Sequence, residues 1–258
     1  MRIANRSATR SSANSTRRAG AWTKRCGSPN ESALFAGLSG GTLNGVLPAG
    51  FEGLAADTQG FETATVHFEQ NATDRDYEVV FRVKGGKEGL AELTIVAPNG
   101  RKVVAFSAPE RITLGMRQFI FESPEPQDFA SLRAAYPEGE YLFRGKSFSG
   151  ATLAGKATLS HRLPPPTTIR SPPPESQRVA AAKQITWRAV AGVSAYMVEL
   201  KNDVSSVAAK LPASATSFAV PDGFLAAGTK YKLAVGTVGG EGNISFVETS
   251  FTTAITAR

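Results

Sequence analysis

Cysteine is nearly missing from this 258-residue chain. The single one, Cys26, lies near the N-terminus, so no intrachain disulfide and no cysteine-built metal cluster can form. Any folded part must hold by packing, and a cysteine-free body tolerates any redox compartment. Histidine is scarce too: His67 and His161 are the two in the chain. No apolar run reaches the ~18 to 20 residues that a membrane span requires. Net basic charge is missing from most of the chain, although the formal net charge is +7. Seven basic residues (Arg2, Arg6, Arg10, Arg17, Arg18, Lys24 and Arg25) precede the first acid, Glu31. The remaining 22 Lys and Arg are balanced by 22 Asp and Glu. A nucleic-acid reader carries its basic footprint on the fold itself, so nucleic acid is not expected as a partner of the body.

Residues 1–56 form a basic arm. Up to about residue 30 it is rich in Arg, Ser, Ala and Asn without apolar periodicity, the composition of a disordered segment. Leu34, Phe35, Leu38, Leu43, Val46 and Leu47 follow, and Leu54-Ala55-Ala56-Asp57 offers small residues at a cleavage-like site. Three readings stay open: an export signal diluted by glycine, a mis-assigned start, or a basic tail for an anionic surface.

What is present beyond the arm is strand patterning. Between residues 57 and 162, Val66 and Phe68, then Val79, Phe81 and Val83, then Leu93, Ile95 and Ala97 alternate with polar neighbours. A period of two marks half-buried strands. Pro98-Asn99-Gly100 separates two such runs, and Asn-Gly there predicts a tight hairpin with positive φ at both central residues. Arg117–Glu122 reads as another strand, and Gln127–Ala135 as a short helix burying Phe129 and Leu132. Tyr136-Pro137-Glu138-Gly139-Glu140-Tyr141 looks like the tyrosine corner that opens a late strand of an immunoglobulin-like sandwich. Tyr141 is therefore expected as a core anchor. Seven or eight strands over this length suit such a sandwich, by analogy alone.

Residues 163–177 contain two Pro triplets, Pro164–Pro166 and Pro172–Pro174, and are expected to form a stiff spacer. Beyond them, Ile185 and Trp187 share one face of a strand, as do Tyr196, Val198 and Leu200. Strands are expected at 207–211, 217–220 and 247–253. Leu225-Ala226-Ala227-Gly228-Thr229-Lys230-Tyr231 places a leucine and a Gly-Thr turn before a Tyr-led alternating strand. In order and spacing, residues 178–254 resemble a fibronectin type III domain. The resemblance implies that Trp187, Tyr196, Leu225 and Tyr231 are core anchors rather than a sugar-stacking platform. It also implies a module that binds or spaces and carries no chemistry of its own.

Chemistry is thin elsewhere. His67 alternates outward beside Thr65 and Glu69 and is expected on a solvated face. His161 ends an apolar face, and no third residue has the spacing of a zinc ligand. Asn71, Asp74, Asp76 and Glu78 suggest oxygen ligands for calcium, but Arg75 intrudes and no glycine makes the sharp turn. Sequons at Asn71 and Asn243 matter only in a eukaryotic secretory setting. The expectation is an all-β chain of two tandem immunoglobulin-like β-sandwiches, not an enzyme, with no cofactor and no metal. It is placed in the secreted, periplasmic or cell-surface space. It binds a protein or cell-surface component, with a polysaccharide as the alternative, through loops containing Arg188, Ser194, Gly239, Gly240, Glu241 and Asn243.

Overall fold

The computed structural model describes residues 58–108, 110, 116–126, 128–180 and 184–255. The readings of the basic arm, with Cys26 and Trp22, lie outside the described residues. In chain order the first half gives β1 (Gln59–Gly60), β2 (Thr63–Asn71), β3 (Asp76–Lys84), β4 (Leu90–Val96), β5 (Lys102–Ser107) and β6 (Gln118–Glu122). Helix α1 (Phe129–Ala135), β7 (Gly139–Ser147) and β8 (Thr152–Leu159) complete it. The second half gives β9 (Ile169–Ser171), β10 (Ser176–Val179), β11 (Gln184–Trp187), β12 (Ala195–Lys201) and β13 (Ser206–Pro212). It ends with β14 (Ser217–Ala219), β15 (Lys230–Val238) and β16 (Ile244–Thr253).

The first sandwich packs the five-stranded sheet β1-β8-β7-β4-β5 against β2-β3-β6. Its core takes one residue in two from each strand: Val66 and Phe68, Val79, Phe81 and Val83, Leu93 and Ile95, Tyr141 and Phe143. That is the pleat's period, and it is why the apolar alternation survives folding. Helix α1 closes one end. Asp128 caps it by accepting from Ala130 N at 3.0 Å, its carboxyl held below the usual range by hydrogen bonds, first from Ser131. The side chain of Leu132 is buried, and Phe129 stacks on Tyr77 with ring centroids 4.6 Å apart. The Asn99-Gly100 hairpin differs from expectation. Of the two, Gly100 alone has positive φ, +81°. Ala97 N donates to Arg101 O at 2.8 Å and Gly100 N to Ala97 O at 2.9 Å, so the loop is longer and needs one left-handed residue, not two.

The second sandwich packs β9-β11-β14 against β13-β12-β15-β16. Trp187, Tyr196 and Tyr231 are fully enclosed with Ile185, Val198, Leu233, Val235 and Phe251. Each aromatic spends its polar atom inside. Trp187 Nε1 donates to Ala215 O at 3.1 Å, and Tyr196 Oη accepts from Val190 N at 2.8 Å. Tyr231 Oη accepts from Ala226 N at 2.8 Å and donates to Phe224 O at 3.0 Å, a tyrosine corner. Tyr141 makes a smaller corner in the first sandwich, donating to Pro137 O at 3.1 Å. Burial, ahead of all other causes, pushes its phenol up to about 12. Leu225 only partly fills its place, half-buried at the margin of the core.

Two expectations are corrected by the topology. The 163–177 segment is not a detached spacer. Ile169 enters the second core, β9 pairs antiparallel with β11, and β10 pairs parallel with β16. Proline sets the extended backbone, but the residues between and beside the triplets carry the ladder. The second correction concerns the boundary between sandwiches. β16 of the second pairs in parallel with β2 of the first, matching Ile244 to Glu69, Ser245 to Gln70 and Phe246 to Asn71. One sheet, β13-β12-β15-β16-β2-β3-β6, therefore runs through both, with β10 added beside β16.

Candidate binding surface

The expected contact loops lie where the sandwiches meet. Residues 188–194 join β11 to β12, and residues 239–243 join β15 to β16. The two loops are tied together: Ser194 Oγ donates to Val238 O at 3.1 Å and to Gly239 O at 2.9 Å. Gly242 N donates to Gly239 O at 3.1 Å, closing a tight turn in which Gly242 takes φ +91°. Arg188 is held by backbone, its N donating to Thr168 O at 2.9 Å while its carbonyl accepts from Thr167 Oγ1 at 2.6 Å. Arg188 is exposed, as are Ala189, Ala191, Gly192, Ser194 and Gly240 in the two loops.

Asn243 does not belong to that exposed set. It is 1% exposed and points into the joint. Its Oδ1 accepts from Phe68 N at 2.8 Å. Its Nδ2 donates to Ser160 O at 2.9 Å, Ser160 Oγ at 3.2 Å and Arg162 O at 2.9 Å. An amide offers one acceptor and two donor hydrogens, so Asn is the side chain that can bridge a strand N–H and two carbonyls at once. Its neighbours work alike. Ser245 Oγ donates to Pro164 O at 2.6 Å, and Thr237 Oγ1 to Pro165 O at 2.8 Å. The proline carbonyls thus find partners in β15 and β16. Gly236 makes room beneath: a Cβ there would stand 2.7 Å from the Phe246 ring. Glu241 pairs with Arg162, and hydrogen bonding, first to Ser160, holds its carboxyl below the usual range. The pair is exposed and adds little stability.

A second set of bonds crosses the joint at the β2–β3 turn. Ala72 N donates to Phe246 O at 2.8 Å, Thr73 Oγ1 donates to Glu248 O at 3.3 Å, and Glu248 N donates to Thr73 Oγ1 at 2.8 Å. The turn itself is an Asx turn. Asn71 Oδ1 accepts from Thr73 N at 3.0 Å and Asp74 N at 3.3 Å, and Asn71 Nδ2 donates to Asp74 Oδ2 at 3.1 Å. Of the oxygens expected to suit calcium, Asn71 Oδ1 and Asp74 Oδ2 are therefore engaged within the turn. Asp76 lies higher than an ordinary carboxylate through burial first, then Glu125 and Asp74. Among the described residues no group of three or more His, Cys, Asp or Glu side chains could hold a metal ion. Asn243, one of the sequon residues, is inaccessible to a glycosylating enzyme in the folded chain.

The histidines sit on opposite sides of β2. His67 is not on a solvated face: it is 8% exposed, and its Nε2 lies 2.9 Å from Oε1 of Glu69, itself 3% exposed. The sheet around the pair is buried with it. Val80 stands opposite His67 and Ile244 beside Glu69, and both are buried. His161 instead packs edge-on against Phe68 at 5.1 Å. Arg133 Nε donates to its Nδ1 at 3.0 Å and its Nε2 faces Tyr136 O at 2.8 Å, which assigns the proton to Nε2. The remaining tyrosines, Tyr77 and Tyr136, are half-buried against the first core.

The class defined by this geometry is a tandem of two β-sandwiches joined through a shared sheet. No family model matches the chain, and no curated protein matches it. Solved structures to which it is similar include the FN1–FN3 domains of chicken CNTN1, at 10% identity and TM-score 0.29, covering 77% of this chain and 65% of that one. Another is a two-domain fibronectin type III segment from chicken tenascin, at 15% identity and TM-score 0.27, covering 74% of this chain and 98% of that one. Among the described residues, no helix is long and apolar enough to cross a membrane.

Proposed function

We propose that this chain is a non-catalytic, extracytoplasmic binding or spacing protein whose two sandwiches act as one rigid body in protein–protein interaction or adhesion. The observation that carries this reading is the joint. A three-residue parallel ladder, the Asn243 cluster and the proline carbonyls together fix one module on the other. Rigid presentation lowers the ordering cost of binding a second surface. The contact surface is the exposed rim beside the joint, with Arg188, Ser194, Gly240 and Glu241 and the half-buried Gly239 between them. A polysaccharide ligand is less well supported, because Trp187 is enclosed and Tyr77 and Tyr136 are engaged by the first core.

The test uses the full chain, immobilised against the envelope and secreted fractions of its source and, in parallel, on a glycan array. The expected result is a specific protein partner retained by the wild type and weakened at least about tenfold by Arg188→Glu, on the scale of a rim charge reversal. Specific sugar retention overturns the protein reading. Turnover lost in His67→Ala or His161→Ala overturns the non-catalytic one. Recovery of the native protein solely from cytoplasm overturns the location.

A further inference from the structure

The continuous sheet ends in β13 on one side and β6 on the other, and the two outer strands are built differently. β13 carries Lys210 and closes on Pro212, a charge and a missing N–H that both discourage a further strand. The other outer strands are guarded as well. β5 begins at Lys102 and its ladder is irregular between Ile95 and Val96, while β1, β9 and β14 have two or three residues each. β6, Gln-Phe-Ile-Phe-Glu, has none of these devices. Among the described residues its one strand neighbour is β3. Gly85 N donates to Arg117 O at 3.0 Å and Ser123 N to Val79 O at 3.0 Å. Bonded and unbonded pairs alternate along an antiparallel ladder, so Val83–Phe119 and Phe81–Phe121 are bonded pairs. Gln118, Ile120 and Glu122 then turn their backbone N–H and C=O away from β3. Phe119 and Phe121 stack at 5.8 Å on the core side, and Phe106 of β5 meets Phe119 at 4.8 Å. Phe106, Ile120 and Phe121 are half-buried, so this margin of the first sandwich keeps apolar surface partly uncovered.

We propose that β6 pairs antiparallel with β6 of a second copy of this chain, about a two-fold axis at Ile120, and carries the shared sheet across two molecules. The strand is complementary to itself. With Ile120 opposite Ile120, Gln118 falls opposite Glu122 of the second copy and Phe119 opposite its Phe121. An amide then faces a carboxylate twice, and no like charges meet. The register is fixed from both ends. A slip of two residues one way brings in Pro124, which has no N–H. A slip the other way brings in Met116, whose carbonyl already accepts from Leu90 N at 3.0 Å. The chain joins sandwiches edge to edge once already, where β2 takes β16. Pairing through β6 uses the same patch on both copies and leaves the guarded β13 at each end, so assembly stops at two.

Sedimentation velocity and amide hydrogen exchange of the full chain test this together. The sedimenting species should pass from monomer to dimer with rising concentration. In step with it, exchange of the Ile120 amide should slow at least about tenfold between about 5 µM and about 1 mM chain, while the Phe119 amide, bonded to β3 within one chain, holds. Ile120→Lys sets two ammonium groups against each other at the two-fold axis and should weaken the dimer at least about tenfold. Gln118→Lys, at an exposed position where the core is not disturbed, faces Glu122 of the second copy and should tighten it about threefold. Arg188→Glu, on the rim beside the joint, should leave the dimer as it is, so this pairing and the rim's partner fail separately. A monomer at every concentration overturns the proposal, as does a dimer that Ile120→Lys leaves intact or that Gln118→Lys weakens. So does an Ile120 amide equally protected at both concentrations, one protected only by an extended segment of another protein from the source, or growth beyond two copies.

Discussion

The two ends of the second sandwich are built from similar material and used in opposite ways. At the end facing the first sandwich, the short Gly- and Asn-containing turn 239–243 sends its side chains across a module boundary. At the far end, the turn 202–205 is equally short and equally polar, but its bonds are its own. Asn202 Oδ1 accepts from Val204 N at 2.9 Å and Ser205 N at 2.7 Å, and Val204 is left 94% exposed. Pro221-Asp222-Gly223 is exposed too, and closes on itself through Phe224 N to Pro221 O at 3.1 Å. An asparagine in a turn satisfies whichever backbone groups are nearest. Which groups those are is decided by the neighbouring domain, not by the turn.

Substitutions can break this contrast in a graded way. Trp187→Ala strikes the core that both ends share and should cost about 3 to 5 kcal/mol in urea unfolding of the second sandwich. Asn243→Ala should cost about 2 to 3 kcal/mol, because it leaves the Phe68 N–H and the Ser160 and Arg162 carbonyls without the buried side chain that joins them. It should also broaden the interdomain distance distribution in small-angle scattering, which Trp187→Ala followed by refolding would not do selectively. Tyr231→Phe removes the corner at the far end and should cost about 1 to 2 kcal/mol with the interdomain distances unchanged. Asn202→Ala should cost about 0.5 to 1 kcal/mol, seen as a small shift in unfolding midpoint. Val204→Asp should lie within about 0.5 kcal/mol of the wild type. If Asn202→Ala and Asn243→Ala proved equal, the distinction between the ends would vanish.

Most of the fold could be read from residue order. Alternation in 66–68, 79–83 and 93–97 marks strands because one face of each is buried, and that holds wherever a sheet covers a core. The aromatic positions Trp187, Tyr196 and Tyr231 follow from the spacing of the strands that carry them. The joint could not be read in this way. Pro164 and Pro165 signal an extended backbone, yet nothing local says that their carbonyls meet Ser245 and Thr237, 81 and 72 positions later. His67 and Glu69 look like a solvated face because a period-two pattern separates two faces but does not say how far each is covered. Asn243 looked like a loop residue for the same reason. One signal was available: Asn243-Ile244-Ser245 puts two compact polar residues around an isoleucine at the start of a strand, where an open loop has no need of them.

The parallel sense of the β2–β16 contact has a mechanical meaning. A pull between Thr63, at the start of β2, and Thr253, at the end of β16, drags these strands past one another along their length. Bonds loaded this way, with the Asn243 cluster alongside, must give together instead of unzipping in turn. Under tension the seam between the modules is thus expected to resist like a lap joint, and to part in a single abrupt event.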